Sequence, residues 1–203
     1  MSENLPNQPF AHLRLHTEFS INDGIVTIKP LIARLRENSM PAVAITDLAN
    51  MFSLIKFYTA SLKAGIKPVC GCDVLVESDD GSKQTRLVLL VKSEAGYLSL
   101  TKLISELYTE NPSQSEPTVC KSKLAGRVDG LIALSGAQNS DIGVALLADE
   151  KDLAKELLAE WQQLFPENFY LELQRVGKAE EEDYIDAAVA LAIWLFHISW
   201  QLM

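Results

Sequence analysis

An α/β fold on a mainly parallel sheet or barrel is predicted by three observations in this 203-residue chain. Ala42-Val-Ala-Ile-Thr46 and Leu131-Ile-Ala-Leu-Ser135 are short, near-continuous apolar runs of the buried-strand type. Other stretches carry apolar residues at i, i+3, i+4 and i+7, the spacing of one helix face. The two patterns alternate along most of the chain. In such folds chemistry gathers at the carboxyl ends of strands. Thr46-Asp47, Gly71-Cys-Asp73, Ser135-Gly136 and Gln174-Arg-Val-Gly177 are therefore expected to converge.

Element by element, Phe10 to His16 alternates His12, Arg14 and His16 with Leu13 and Leu15, the period of a half-buried strand. Asn22-Asp23-Gly24 supplies a turn. Ile28, Leu31, Ile32 and Leu35 mark a helix, with Thr27 as its cap and Pro30 in its first turn. After the strand at 42–46, a helix from about 50 to 64 is expected to turn Leu54, Ile55, Tyr58 and Leu62 inward, and Gly65 stops it. Ile66 to Val76 and Arg86 to Lys92 read as strands joined by the turn Asp79-Asp80-Gly81-Ser82. A helix over about 94–109 presents Leu100, Leu103, Ile104 and Leu107, and Asn111 to Thr118 is a loop.

Beyond the strand at 131–135, helices are predicted at about 140–148 and 151–165, the second showing Leu153, Leu157, Trp161 and Leu164. Phe169 to Gln174 is a strand and Ala179 to Leu191 a helix. Residues 1–191 form the expected domain. Residues 192–203 are uncharged, hold two of the three tryptophans and read as an atypical apolar tail, truncated or out of frame. Fourteen residues from Ala187 to Trp200 fall short of the roughly 20 that a membrane span needs.

Composition narrows the function. A net charge of −9 disfavours autonomous binding to a phosphate backbone. The start has neither the basic nor the apolar region of a signal peptide. Cys70, Cys72 and Cys120 form no disulfide-like framework, which points to a reducing cytoplasm. Cys70 and Cys72 read as small buried side chains. Lys56, Lys63 and Lys67 read as a solvated surface, and Trp161, among aliphatic neighbours, as core.

Two histidines and an aspartate near one strand end, His12, His16 and Asp23, are candidate metal ligands. Arg14 stands between the histidines, however, and a guanidinium has no lone pair to donate.

Several ordered blocks make the chain recognisable: His12-Leu-Arg-Leu-His-Thr-Glu-Phe-Ser with Asp23-Gly24; Pro41-Ala-Val-Ala-Ile-Thr-Asp47; Asn50-Met-Phe-Ser-Leu-Ile-Lys-Phe-Tyr58; Gly65-Ile-Lys-Pro68 with Gly71; Gly96-Tyr-Leu-Ser-Leu100; Gly130-Leu-Ile-Ala-Leu-Ser-Gly136; and Tyr170-Leu-Glu-Leu-Gln174. Over about residues 8–191 it resembles the PHP (polymerase and histidinol phosphatase) domain family, in the form found at the N-terminus of bacterial replicative DNA polymerase III alpha subunits.

That resemblance implies a distorted parallel β/α barrel of the seven-stranded type, here with its C-terminal strand or strands missing or replaced. It implies metal positions at His16, Asp23 and Asp73. Ligand positions are lost at Arg14, Leu48, Ala137 and Val176. Leucine, alanine and valine donate nothing, and a two- or three-metal phosphoesterase centre needs several ligands per ion. The expected partner of Arg14 is Asp23 or Asp73. No catalytic residue and no cofactor is expected in this stretch; Mg would serve the parent polymerase, and Zn or Mn belongs to metal-binding relatives.

The implied function is a structural and docking module in DNA replication. Partners would be other holoenzyme subunits, notably the proofreading exonuclease, with DNA reached through absent polymerase domains and no membrane involved. The alternative is a metal-dependent phosphoesterase or 3′–5′ proofreading exonuclease.

Overall fold

The computed structural model describes residues 10–21, 23–78, 81–110 and 117–201, with side chains as far as residue 195. The strands are β1 (Ala42–Ile45), β2 (Lys67–Glu77), β3 (Gln84–Val91), β4 (Thr118–Cys120), β5 (Leu131–Leu134) and β6 (Phe169–Tyr170). The helices are α1 (Ile28–Glu37), α2 (Leu54–Lys63), α3 (Glu94–Glu110), α4 (Asp141–Leu147), α5 (Lys151–Leu164) and α6 (Glu181–Gln201).

The sheet runs β1-β2-β3-β5-β6, and β4 pairs with the far end of β2. β1, β4 and the β5–β6 pair are parallel matches, whereas β3 is antiparallel to both β2 and β5. The fold is thus α/β with a parallel-rich, mixed sheet. Among the described residues that sheet is not closed: β1 and β6 end it.

Alternation along β3 divides the core. Leu87 and Leu89 join Val74, Leu100, Leu103, Leu131, Leu158 and Trp161 under α3–α6. Val88 and Leu90 point to the opposite face, where they meet Ala44 and Leu134 in a small inner cluster. A third cluster, with Ile28, Ile32, Leu35, Val43 and Phe57, joins α1 and α2 to β1. Trp161 is core, as its aliphatic setting suggested: it is 2% exposed, stacks on Phe169 at 5.9 Å, and its Nε1–H donates to Asp141 at 2.8 Å. Cys72 is fully buried.

Several expectations are corrected. Residues 10–16 are not a strand. They run beside β1, bridged at His12–Val43, but Leu15 N–H donates to the Thr46 hydroxyl instead of a backbone carbonyl, which breaks the ladder. Helix α2 begins at Leu54, not near Asn50, and its inward residues are Leu54, Phe57 and Ser61. Ile55, Tyr58 and Leu62 face solvent, because Phe57 fills the space over β1. Leu153 on α5 is exposed, with Ala154 and Leu158 inward in its place.

Thr118, expected as the last residue of a loop, instead opens β4, and residues 111–116 lie outside the described residues. The strand at 169–174 shortens to two residues because the Ser135 hydroxyl accepts from Glu172 N–H where a ladder bond would continue. Helix α6 does not stop at Leu191 but runs to Gln201, so 192–201 continue the helix. Of the predicted turns, Asn22 and residues 79–80 lie outside the described residues, as do the side chains from 196 onward and residues 202–203.

Candidate functional site

Asp73 sits on β2 level with Val88 of β3 and, through it, with Leu134 of β5. Its carboxylate is shut off from solvent, with Arg14 and His16 against it. Arg14 donates to Asp73 Oδ2 from Nη2 at 2.5 Å and from Nε at 3.1 Å, a fork that suits a guanidinium. His16 Nε2 lies 2.9 Å from the same oxygen, and its Nδ1 lies 3.0 Å from Asp23 Oδ2. Arg86 Nη1 bridges Asp23 Oδ2 and Asp73 Oδ2, 3.2 Å from each. Arg14 Nη1 also donates to Glu172 Oε2 at 3.1 Å, so it spans from the middle of β2 to the chain beyond β6.

Local sequence makes this possible. Gly24 lets the chain turn tightly after Asp23, since a Cβ there would overlap the Thr17 carbonyl. Gly136 ends β5 at φ +94°, and a Cβ on it would collide with the backbone of Arg86. Glu172 is steadied on three sides. Gln174 Nε2 donates to its Oε1 at 2.7 Å, Ser135 takes its N–H, and the Tyr184 hydroxyl donates to its carbonyl at 2.8 Å. Burial pushes the Tyr184 hydroxyl up to about 12, so it stays a donor.

Burial alone would push the Asp73 carboxyl up, but the His16 hydrogen bond and the charges of Arg14 and Arg86 outweigh it and hold Asp73 below its ordinary value. Burial also opposes the charge on Arg14, and Asp73 with Glu172 overcomes it, so that pKa rises. Glu172 moves the other way: burial pushes it up, and Arg14 only partly compensates. The two ends of the Arg14–Glu172 pair thus disagree about the pair's strength. The forked 2.5 Å contact makes Arg14–Asp73 the firm pair and Glu172 the weaker companion.

The predicted positions divide cleanly. His16, Asp23 and Asp73 come together, and Arg14 pairs with Asp73; Asp23 takes Arg86 instead. His12 is not in the cluster, being exposed and edge-on to Phe10 at 5.0 Å. Leu48 is bridged to Asp73 through backbone, and its N–H donates to Ser20. Ala137 is buried at φ +54°, and Val176 is 64% exposed. Arg86 and Glu172 escaped sequence reading. Their signal was a charged residue at the sheet-facing end of an apolar strand, in Gln84-Thr-Arg86-Leu and Tyr170-Leu-Glu172-Leu.

Among the described residues no group of three or more His, Cys, Asp and Glu side chains is arranged to hold a metal ion. Asp73 Oδ2 is taken by two guanidinium groups and His16. Asp73 Oδ1 is buried without a hydrogen-bond partner. A cation seated there would face the fixed charges of Arg14 and Arg86. The donor set does not fit a metal centre.

The PHP domain model matches residues 12–176, which is most of the chain. The chain belongs to the PHP domain family. It is 46% identical over 184 residues to the DNA polymerase III subunit alpha of Pseudomonas aeruginosa and 40% identical over 184 residues to that of Escherichia coli K12. Each match covers 90% of this chain and 16% of the relative, within the relative's N-terminal PHP region. A crystal structure of an amidohydrolase from Chromobacterium violaceum is similar at 24% identity over 50% of this chain and 34% of that one, with a TM-score of 0.41. No helix among the described residues of this PHP domain is long and apolar enough to cross a membrane.

Proposed function

We propose that this PHP domain is the structural and docking portion of a replicative DNA polymerase III alpha subunit and that its metal centre is degenerate. The observation that carries the reading is the saturation of Asp73 Oδ2 by Arg14, His16 and Arg86. Two guanidinium charges stand where a phosphoesterase centre needs divalent cations and an open position for water. Template-directed DNA synthesis belongs to further domains of the parent protein, which would bind Mg and DNA. Other holoenzyme subunits, the proofreading exonuclease among them, are the partners, and the cytoplasm is the compartment.

In this reading the sheet is one side of a distorted seven-stranded barrel over residues 1–191. The Arg14–Glu172 bond, reaching from the segment beside β1 to the chain after β6, supports such a closure. Residues 192–203 are an atypical addition. The competing reading, a metal-dependent phosphoesterase or 3′–5′ exonuclease, requires Asp73 to exchange guanidinium for metal.

Elemental analysis after exhaustive dialysis tests this. Less than about one equivalent of Zn or Mn per chain is expected, with no change in His16→Ala. A tightly held equivalent that His16→Ala releases would overturn the reading.

A further inference from the structure

Helix α2 carries two apolar stripes. Leu54, Phe57 and Ser61 face the core, whereas Phe52, just before the helix, and Ile55, Tyr58 and Leu62 on it face outward. Ile55, Tyr58 and Leu62 fall at i, i+3 and i+7, one continuous helix face. Their exposures are 74%, 46% and 55%. Among the described residues, no core cluster includes them.

Ile55, at one edge of this stripe, borders a groove of about 710 Å³ between α1 and α2. Ile28 and Ile32 line it from α1 and Ile55 from α2. Lys29, Lys56 and Lys63 stand around it, against a single carboxylate, Glu18. None of the three lysines is ion-paired among the described residues, whereas Lys102, Lys121, Lys123, Lys151 and Lys155 are. Lys56 instead rests over the Phe19 ring at 5.1 Å. A cationic rim on an apolar floor is the inverse of the chain as a whole, whose net charge is −9.

We propose that the α1–α2 groove docks an acidic amphipathic helix of a protein partner. Apolar side chains at i, i+3 and i+7 of that helix would seat on Ile28, Ile32 and Ile55, with its carboxylates facing Lys29, Lys56 and Lys63. The apolar floor decides against a nucleic acid, which asks for base-stacking surfaces or denser positive charge. This deepens the docking reading above and rests on it, but not on the state of the Asp73 cluster.

The test is fluorescence anisotropy of the 203-residue chain with a labelled peptide of about 15 residues. The peptide carries leucines at i, i+3 and i+7 and glutamates elsewhere. Saturable binding is expected. It should weaken about tenfold or more in Ile55→Ser and in Lys56→Glu/Lys63→Glu, fall with salt, and be unchanged in Lys102→Glu, an exposed lysine outside the groove. The substituted side chains are exposed, and circular dichroism checks that each variant is folded; Ile55→Thr repeats the apolar arm with a smaller change. Equal affinity in the folded variants, or equal binding of a lysine counterpart of the peptide, would overturn the proposal. So would tighter binding of a single-stranded oligonucleotide that the lysine changes abolish. No binding at low metal content would overturn the groove while the degenerate centre stands.

Discussion

Asp47, just past the end of β1, and Asp73, within β2, are joined by the 3.1 Å hydrogen bond from Asp73 N–H to the Asp47 carbonyl, and both are fully buried. Their carboxylates are satisfied in opposite ways. Asp47 accepts from Thr17 N–H at 2.6 Å and from the hydroxyls of Thr17, Ser20 and Ser53 at 2.5–2.8 Å, all neutral donors on two other segments. Asp73 is held by Arg14, His16 and Arg86, and one of its oxygens has no partner. A shell of neutral donors closes a carboxylate into the fold. Asp73 instead carries two guanidinium groups and an imidazole on one oxygen and leaves the other oxygen without a partner. On the function proposed above, the difference separates a structural aspartate from a vestigial one.

The largest effect expected from breaking this contrast is at Asp47. Asp47→Ala leaves a buried N–H and three hydroxyls without their acceptor and should cost about 3–5 kcal/mol in urea unfolding. A loss below about 1 kcal/mol would remove Asp47 as the tie between these segments. Next is the charged cluster. Arg14→Met or Asp73→Leu alone strands a partly buried charge and should cost about 2–4 kcal/mol. The pair of changes together should recover much of that loss, and a double-mutant cycle with no coupling would show that the two charges act independently.

A smaller effect concerns pH and sharpens the roles of Asp73 and Glu172. The folded value of Asp73 is depressed, so its stabilisation is present above the ordinary value of 3.8 and is lost as pH falls through the folded value. The folded value of Glu172 is raised, so its ionisation opposes folding as pH rises from the ordinary 4.5 towards the raised value. Glu172→Gln keeps an acceptor for Arg14 and should abolish that alkaline-going loss, leaving the acid limb intact. Unchanged slopes in chemical unfolding between pH 4 and 7 would contradict the assignment of Glu172 as the weaker partner.

The smallest effect lies at the edge of the site. Ile21 is β-branched, exposed and held at φ 58°, ψ −70° where the chain leaves the short turn of helix at Glu18–Ser20. Ile21→Gly should relieve about 1–2 kcal/mol of backbone strain and give back about 0.5–1 in chain entropy, a net gain near 0.5–1 kcal/mol in melting experiments.

Much of this was legible without coordinates. The apolar runs at 42–45 and 131–134 became β1 and β5, and all four predicted inward residues of α3 are buried, because complete burial on one face leaves an unambiguous period. His16, Asp23 and Asp73 were legible as one site. Helix α2 was not, because it has two apolar stripes and the pattern cannot say which meets the core. The extended segment at 10–16 also misled, since alternation fixes which side chains share a face but not whether the backbone completes a ladder.

The sequence by itself determined the family, most of the α/β order of elements and the absence of metal-donating side chains at Arg14, Leu48, Ala137 and Val176, because lone pairs are a property of residue type. Only the tertiary structure decided which charges compensate which. Arg14 chose Asp73 and Glu172 over Asp23, and Arg86, 63 positions from Asp23, took the remaining carboxylate. Ion pairing falls off over a few ångströms and is set by where strands end in space, and separation along the chain carries no record of that.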